Sequence, residues 1–404
     1  MHNRWRINGI VPAFCLMVFL AFPVYAGGVL SSLYFGESVF SEPTRSQGMG
    51  GAGLALAEGV PDPLNPASLP RSPLASFSVT YRPQITWAQD NYTSRRDVSG
   101  QLSSLVFSLP VGNNLFLGAG VEQLHSTFYN SSIRDTTEFG QGFEKRFSKS
   151  GGVYAGGLSL AYRPVRGIHI GLGYRWLFGG ITEETEVDFD TAVFTDTNDE
   201  LTQEHSGGYP CFGVALSHDK IGFGIYYRPK IEGDGTFELL TVHRVETVED
   251  FPFTLPERYG FGIRLGPWSG LNVVGDIWRE PWSQAKYGTE VVDFQDVTAL
   301  FFGIEYNFET EEKRLFPPLR LGFRRIPGYA PIRLEDGTTS SSAPSDEAIS
   351  IGTSFSAGKG KGSFDIAASL GSRGGILRYD VRERYIELSL GFVGFEPWSR
   401  RRLN

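Results

Sequence analysis

The chain has 404 residues, and its 50 glycines, 31 phenylalanines, 17 tyrosines and 7 tryptophans make up about a quarter of it. This composition is too aromatic for a disordered chain and too rich in glycine for a helical bundle. A formal charge of −8 and an isoelectric point near 5.4 argue against a nucleic-acid-binding protein, which would carry a basic surface. No stretch after residue 26 approaches the roughly 20 apolar residues of a spanning helix, which excludes a helical membrane protein.

The first 26 residues have the pattern of a signal peptide. Two arginines precede a long apolar run, and Val24-Tyr25-Ala26 offers the small residues that a signal peptidase recognises. We therefore predict cleavage after Ala26 and export of the rest of the chain. Export would leave Cys211 as the only cysteine, so no intramolecular disulfide is predicted.

Residues 27–73 contain no clean strand pattern. They carry a glycine cluster, Gly48-Met49-Gly50-Gly51-Ala52-Gly53, and further on Asn65-Pro66-Ala67. Glycine allows backbone to pack closely against other backbone, and Asn65 before Pro66 indicates a turn or a helix start. The cluster is not a phosphate-binding loop, because no strand leads into it and no lysine with serine or threonine follows. The segment is long enough to fill the lumen of a barrel.

From residue 74 onwards, apolar or aromatic residues recur at every second position, which is the period of β-strands. The alternate positions are dominated by glycine, alanine and serine with occasional charges, as in the stretch Ile168 to Trp176. A small or polar face suits a barrel lumen with lipid on the other side, whereas a soluble sandwich would expose long polar side chains. Fourteen segments follow this pattern: 75–87, 101–110, 114–124, 153–163, 167–180, 207–217, 220–232, 257–266, 270–283, 297–308, 317–326, 347–357, 362–371 and 385–395.

Short and long connectors alternate between these segments. Barrels of the outer membrane have short periplasmic turns and long external loops, so this rhythm and the even strand number place both termini in the periplasm. The pattern predicts a barrel over residues 74–395 and a basic periplasmic tail over 396–404. Aromatic residues near strand ends are typical of an interfacial girdle: Tyr81, Trp87, Tyr162, Trp176, Trp278, Trp282, Tyr306 and Trp398.

The predicted external loop 125–152 is rich in aromatic residues. These rings would form a surface that captures an amphipathic or apolar ligand. The candidate capture residues are Phe128, Tyr129, Phe139, Phe143 and Phe147.

Strand parity assigns eleven charged residues to the interior of the barrel: Glu122, Arg175, Arg228, Arg258, Arg264, Asp276, Glu305, Arg320, Arg324, Asp365 and Glu387. Unpaired charges are costly in such a place, so a structural ion-pair network is the first interpretation. The second interpretation is a polar site that binds a ligand carboxylate, since guanidinium binds carboxylate with two hydrogen bonds. The candidates for that role are Arg258, Arg264, Arg320 and Arg324.

No catalytic residue, metal site or cofactor is predicted. None of the five histidines after residue 26 lies in a nucleophile motif such as Gly-x-Ser-x-Gly, and no two have the spacing of metal ligands. The sequence therefore favours a protein that is not an enzyme.

The chain resembles the FadL family of outer-membrane transporters for long-chain fatty acids and other hydrophobic compounds. The resemblance spans nearly the whole exported chain and rests on five stretches: Gly48 to Gly53, Asn65-Pro66-Ala67, Leu255-Pro256-Glu257, Asp276 to Ser283 and Leu319-Arg320-Leu321-Gly322. It implies a fourteen-stranded barrel plugged by its N-terminal segment, with Asn65, Pro66 and Ala67 inside the plug. Related plugged barrels share the glycine cluster and the Asn-Pro-Ala tripeptide but serve secretion machines or surface attachment.

Together these patterns predict an all-β protein, a fourteen-stranded antiparallel transmembrane barrel with residues 27–73 as a plug in the lumen. The predicted plug motif comprises Gly48, Gly50, Gly51, Asn65, Pro66 and Ala67. The expected location is the outer membrane of a Gram-negative-type cell, in contact with its lipids. The expected function is uptake of hydrophobic molecules, either long-chain fatty acids or aromatic hydrocarbons. The alternative is a barrel that transports nothing and acts as a partner in secretion, assembly or surface attachment.

Overall fold

The computed structural model describes residues 28–396, with gaps at 57, 192–193, 242–243, 289–291, 311–312, 315, 335 and 358–360. The predicted signal peptide and residues 397–404 of the predicted tail lie outside the described residues, as does Trp398.

The described chain forms a closed antiparallel barrel of fourteen strands. Each strand pairs with the next along the chain, and the last pairs with the first over Ala75–Asp90 and Val381–Glu396, which closes the barrel. The strands are β2 (Ala75–Asp90), β3 (Ser94–Pro110), β4 (Leu115–Thr136), β5 (Gly142–Tyr162), β6 (Ile168–Phe178), β8 (Thr197–Ser217), β9 (Ile221–Arg228), β12 (Arg258–Leu265), β13 (Leu271–Glu280), β15 (Val297–Tyr306), β18 (Leu319–Pro327), β19 (Ser345–Ala357), β20 (Gly362–Gly374) and β21 (Val381–Glu396).

The remaining elements are short or extend the wall at one end. The other strands are β1 (Glu37–Ser38), β7 (Gly180–Phe189), β10 (Ile231–Thr241), β11 (Arg244–Leu255), β14 (Lys286–Tyr287), β16 (Glu309–Thr310) and β17 (Lys313–Arg314). The α-helices are Thr44–Gln47 and Ile376–Tyr379, and the 3₁₀ helices are Val29–Ser32, Pro66–Arg71 and Trp282–Gln284. None of the helices in the described part of the chain combines the length and apolar character that crossing a bilayer requires.

All fourteen predicted barrel strands are present, but several are longer than the sequence pattern indicated. The predicted loop 125–152 is a β-hairpin, because β4 continues to Thr136 and β5 begins at Gly142. A second hairpin, formed by β7 and the first half of β8, also extends beyond the barrel wall. Polar residues occupy both faces of these extensions, so their strand period is weak in the sequence.

The two faces of the wall differ as strand parity predicts. Along β6, Ile170, Leu172, Tyr174 and Trp176 are between 45 and 51% exposed, while the residues between them are buried. Large apolar side chains point outward in the same way from the other barrel strands, so the outer surface is an apolar belt. Such a belt is the reverse of a water-exposed surface and indicates apolar surroundings. All eleven charged residues assigned to the interior are buried, none of them more than 6% exposed.

The predicted aromatic girdle is wrong for two of its members. Trp278 and Trp282 are each 1% exposed and belong to the buried core. Trp278 has the parity of Asp276 on β13 and therefore points inward, where it contacts the inward-facing Tyr226 at 5.4 Å between ring centroids. Trp282 lies beyond the end of β13 and stacks on Tyr329 at 3.9 Å.

Candidate functional site

The barrel wall is incomplete between β3 and β4. Their pairing runs from Pro110 with Phe116 up to Ser104 with Glu122 and stops there. Beyond the pair Ser104–Glu122, residues 94–103 of β3 and residues 123–136 of β4 are not paired with each other in the described structure. We call this stretch the open seam.

Two β-bulges lie where the seam begins. The register of β3 with β2 shifts at Ser103, and the register of β4 with β5 shifts at Leu124. A bulge adds a residue on one strand and bends it, so one bulge in each strand at the same level turns the two strands apart. Next to them, the ladder between β2 and β21 skips Arg82 and Pro83, and proline has no N–H to donate.

Residues 31–41 occupy the edge of β4 that β3 leaves. Glu37 and Ser38 form strand β1 and pair with Ser126 and His125. The same contact continues on both sides of β1. Val39 N–H donates to Leu124 O at 2.8 Å, the Ser41 hydroxyl donates to Gln123 O at 2.6 Å, and Ser31 Oγ lies 2.6 Å from Phe128 O.

The rest of the N-terminal segment, residues 28–73, packs against inward-facing glycines of the wall. A Cβ atom on Gly322 would lie 2.0 Å from Gly50 N, and one on Gly224 would lie 2.4 Å from Leu54 O. Only a residue without a side chain permits this approach. The glycine-rich inner face that the sequence shows is therefore the surface on which this segment lies.

The glycines and the tripeptide predicted as a plug motif shape this segment locally. Gly48 ends the helix Thr44–Gln47, and the next two glycines turn the chain with φ of +71° at Gly50 and +100° at Gly51. Asn65 caps the 3₁₀ helix that begins at Pro66, its Oδ1 accepting from Ala67 N–H at 2.9 Å. These residues contact the wall at further glycines, Gly171 and Gly213.

Charged side chains fasten the segment to the wall. The carboxylate of Asp276 accepts from Gly53 N–H at 2.6 Å and Leu54 N–H at 2.9 Å. Arg45 and Arg320 both pair with Glu305, at 2.6 and 2.7 Å. Unpaired, any of these buried charges would be strongly destabilising, so each pair opposes withdrawal of the segment.

A cavity of about 130 Å³ lies between the N-terminal segment and the open seam. Both sides of the seam contribute to its lining, Ser99 and Gln101 from β3 and Ser126 and Phe128 from β4. The apolar part of its lining includes Leu30, Leu33, Val39, Phe40, Phe128, Phe301, Ile326, Tyr329 and Ala330.

The cavity also has a charged side, and its arginines all have acidic partners. Arg82 pairs with Glu387 at 2.7 Å, and Arg373 pairs with Glu37 at 2.7 Å. Arg324 lies 3.4 Å from Asp346 and donates to the Tyr385 hydroxyl at 2.8 Å. No guanidinium of the lining is left with an unbalanced charge.

Glu42 differs from the other carboxyl groups among the described lining residues, because Glu37, Asp346 and Glu387 each have an ion-pair partner and Glu42 has none. It is 2% exposed, and its Oε2 accepts from Gln47 Nε2 at 2.9 Å, while its Oε1 has no hydrogen-bond partner in the described structure. Burial, with a smaller effect from nearby Asp62, raises the pKa of Glu42 to about 8. Burial also raises the pKa of Glu37, an effect that the nearby Arg373 guanidinium opposes.

Only one of the four arginines predicted to grip a carboxylate lines this cavity, Arg324. Arg258 donates to Glu280 at 2.6 Å, and Arg320 to Glu305 at 2.7 Å. Arg264 donates to His218 O at 2.7 Å near the short-turn end of the barrel.

The five predicted capture residues do not form one surface. Tyr129 and Phe147 are in ring contact at 5.7 Å, and Phe143 contacts Phe189 at 5.9 Å. Phe139 lies at the hairpin tip and is 81% exposed, whereas Phe128 lines the cavity.

Sequence reasoning missed much of the cavity. Phe40 and Glu42 belong to the N-terminal segment, which has no periodic pattern, and Tyr329 and Ala330 lie in the connector after β18. Strand parity did contain a usable signal for Phe301, which has the inward parity of Ala299 and Gly303 on β15.

The fold is that of the FadL-type barrels. The toluene transporter TodX of P. putida is 13% identical, with a TM-score of 0.57 over 92% of this chain and 100% of that chain. A Pseudomonas aeruginosa FadL homologue is 12% identical, with a TM-score of 0.57 over 90% of this chain and 99% of that chain. The monoaromatic hydrocarbon channel CymD is 15% identical, with a TM-score of 0.54 over 92% and 99%. These likenesses establish the shared architecture.

The chain belongs to the BamG family, whose model matches residues 10–232. No curated protein sequence matches the chain significantly.

Proposed function

We propose that this protein is an outer-membrane barrel that takes up hydrophobic molecules through the cavity at the open seam. The observation that carries the proposal is that the cavity lies between an internal segment and the place where the wall strands separate. The three structural relatives named above include a toluene transporter, a monoaromatic hydrocarbon channel and a FadL homologue, which supports the same class of function.

The apolar belt supports placement in a membrane. Side chains such as Trp176 and Leu172 are half exposed, and the belt continues around the barrel. Burying this surface in hydrocarbon is favourable by about 25 cal/mol per Å². A closed barrel with such a belt, together with the predicted signal peptide, fits an outer membrane of the Gram-negative type.

Residues 28–73 act as the plug in this proposal. Its contacts with inward-facing wall glycines, and ion pairs such as Arg45 with Glu305, support this role. A ligand would enter the cavity from the external side and leave sideways at the open seam once residues 31–41 separate from β4.

The size of the cavity favours a compact ligand. An apolar cavity of about 150 Å³ is known to bind benzene, and the cavity here is about 130 Å³. A single aromatic ring therefore fits without further opening, whereas a long-chain fatty acid requires the plug or the seam to move.

The second candidate function is that of a partner in secretion or assembly. The observation that favours it is a sheet that extends beyond the barrel wall. In this sheet β5 pairs with β7, β7 with β8, β8 with β10 and β10 with β11. Such a sheet offers a second protein a large rigid surface.

Ligand binding by native mass spectrometry of the detergent-purified protein tests the proposal, with toluene and palmitate as probes. The informative variant is Ser126→Phe, which fills the cavity, and the matched control is Ser132→Phe, at an exposed position of the same parity on the same strand. We expect saturable binding by wild type and control, and its loss in Ser126→Phe. Absence of binding of both probes to wild type would overturn uptake and favour the partner role.

A further inference from the structure

We infer that the cavity selects hydrophobic molecules that carry a neutral hydroxyl group, such as alkylphenols, and discriminates against carboxylates. This inference rests on the proposed uptake through the cavity and names the ligand chemistry of that site. Its basis is the buried, unpaired carboxyl oxygen of Glu42 together with the balanced charges around it.

Glu42 is positioned rigidly. It lies two residues before the helix Thr44–Gln47, and Gln47 reaches back to donate to its Oε2 and to Phe40 O. This leaves Oε1 without a partner in a residue that lines the cavity together with Phe40 and Phe301. A buried polar atom without a partner is destabilising, so a ligand that supplies one is favoured over a ligand that cannot.

The charges of the lining do not favour an anion. Three arginines line the cavity, Arg82, Arg324 and Arg373, and each is paired with one acidic residue, Glu387, Asp346 and Glu37 respectively. The fourth acidic residue, Glu42, has a raised pKa and is largely protonated at pH 7, so the charges of the lining balance. The arginines are already engaged by acidic partners between 2.7 and 3.4 Å away. A ligand carboxylate would lose its hydration here. Arg82 Nε and Arg324 Nε have no hydrogen-bond partner in the described structure, but the charge of each guanidinium is already balanced by its acidic partner, so the carboxylate would meet no unpaired positive charge.

A hydroxyl group meets the requirement of Glu42 in either protonation state. It donates to Oε1 when the carboxyl group is ionised and accepts from it when the group is protonated. A hydrocarbon can do neither, and a carboxylate can only accept. Other polar atoms of the described lining residues also lack a hydrogen-bond partner, among them Ser38 Oγ, Gln101 Oε1, Arg82 Nε and Arg324 Nε, so the lining favours a polar ligand group over a hydrocarbon.

The test is equilibrium dialysis of the full-length exported protein in detergent at pH 7 with toluene, 4-methylphenol and 4-methylbenzoate, which differ in one substituent. The variants are Glu42→Leu, which removes the polar oxygens, and Glu42→Gln, which keeps an oxygen acceptor and an N–H donor. The matched control is Glu58→Leu, at an exposed position of the same segment outside the cavity.

We expect Glu42→Leu to weaken 4-methylphenol binding about fivefold or more and to leave toluene within about twofold, since one buried hydrogen bond is lost. Glu42→Gln and Glu58→Leu should stay near wild type for both ligands. The wild type should bind 4-methylbenzoate about tenfold or more weakly than 4-methylphenol.

Equal effects of Glu42→Leu on toluene and 4-methylphenol would overturn the inference and leave the proposed uptake intact. If Glu42→Leu does not fold, wild-type binding of 4-methylbenzoate as tight as that of 4-methylphenol overturns it instead. Failure of the wild type to bind any of the three ligands would overturn the proposed function itself.

Discussion

Substitution of Gly322 by alanine tests whether the wall glycines are there to admit the N-terminal segment. Gly322 lies in the middle of β18, paired to Gly303 on one side and Ser350 on the other. A Cβ atom at this position would lie 2.0 Å from Gly50 N and 2.1 Å from Met49 C. These are backbone atoms, which cannot rotate away as a side chain would.

The magnitude follows from the overlap. Adding one methyl group to a packed interior costs about 1 to 3 kcal/mol, and an approach this close between backbones places the cost near about 3 kcal/mol. The alternative response is that the segment around Met49 leaves the wall. That response loses the burial of Met49 and Leu54, at about 1.5 to 3 kcal/mol for each side chain.

The assay compares Gly322→Ala with Gly275→Ala, a wall glycine of β13 where the nearest atom to an added Cβ is 3.7 Å away. We expect Gly322→Ala to lower the thermal unfolding midpoint in detergent and to raise single-channel conductance in a planar bilayer. Gly275→Ala should change neither quantity. Wild-type stability and conductance in Gly322→Ala would refute the idea that the segment is seated on this face.

Three further predictions concern single side chains. The pKa of Glu42 is about 8 in the folded protein against 4.5 normally, so its contribution to stability is complete below pH 4.5 and is lost as the pH rises through 8. Over that range the free energy of unfolding should fall by about 1.4 kcal/mol per pH unit. Measurements of unfolding against pH should show this fall for the wild type and not for Glu42→Gln. Asp276→Ala leaves two buried backbone N–H groups of the N-terminal segment unpaired and should cost about 2 to 4 kcal/mol in denaturant unfolding, whereas Asp336→Ala at an exposed turn should cost little. Phe128→Ala should weaken toluene binding about threefold or more because the ring lines the cavity, and an equal loss in Phe139→Ala would instead support capture at the hairpin tip.

The architecture of the wall could be predicted because strands repeat with a period of two. Side chains alternate between the two faces of a strand, so Leu172 points outward and Arg175 inward. The same alternation assigns the other interior charges, and all of them are buried. Trp278 was assigned to the girdle because it lies near a strand end. It is two residues from the inward-facing Asp276 on the same strand, which predicts the inward orientation that the structure shows. The hairpin extensions were missed because polar residues occur on both of their faces and weaken the period of two.

The candidate site was much less predictable. The open seam depends on one extra residue in each of two strands, at Ser103 and Leu124, and nothing in the local composition marks a bulge there. The cavity depends on a segment without periodicity, so Phe40 and Glu42 had no signal that would place them on a common wall. Contacts between residues this distant in sequence are a property of the folded barrel.

The bonds of the N-terminal segment impose an order on folding. Leu30 N–H donates to Glu383 on the last strand, 353 positions later, and the Thr44 hydroxyl lies 2.9 Å from that of Ser389. The contacts of the N-terminal segment, which is synthesised first, are therefore complete only when the final strand is in place. Contacts that close so large a loop form slowly, so these two are expected to follow those that the segment makes with earlier strands such as β4 and β9. A chain truncated before β21 would lack not only a strand but also one of the anchors for its own beginning.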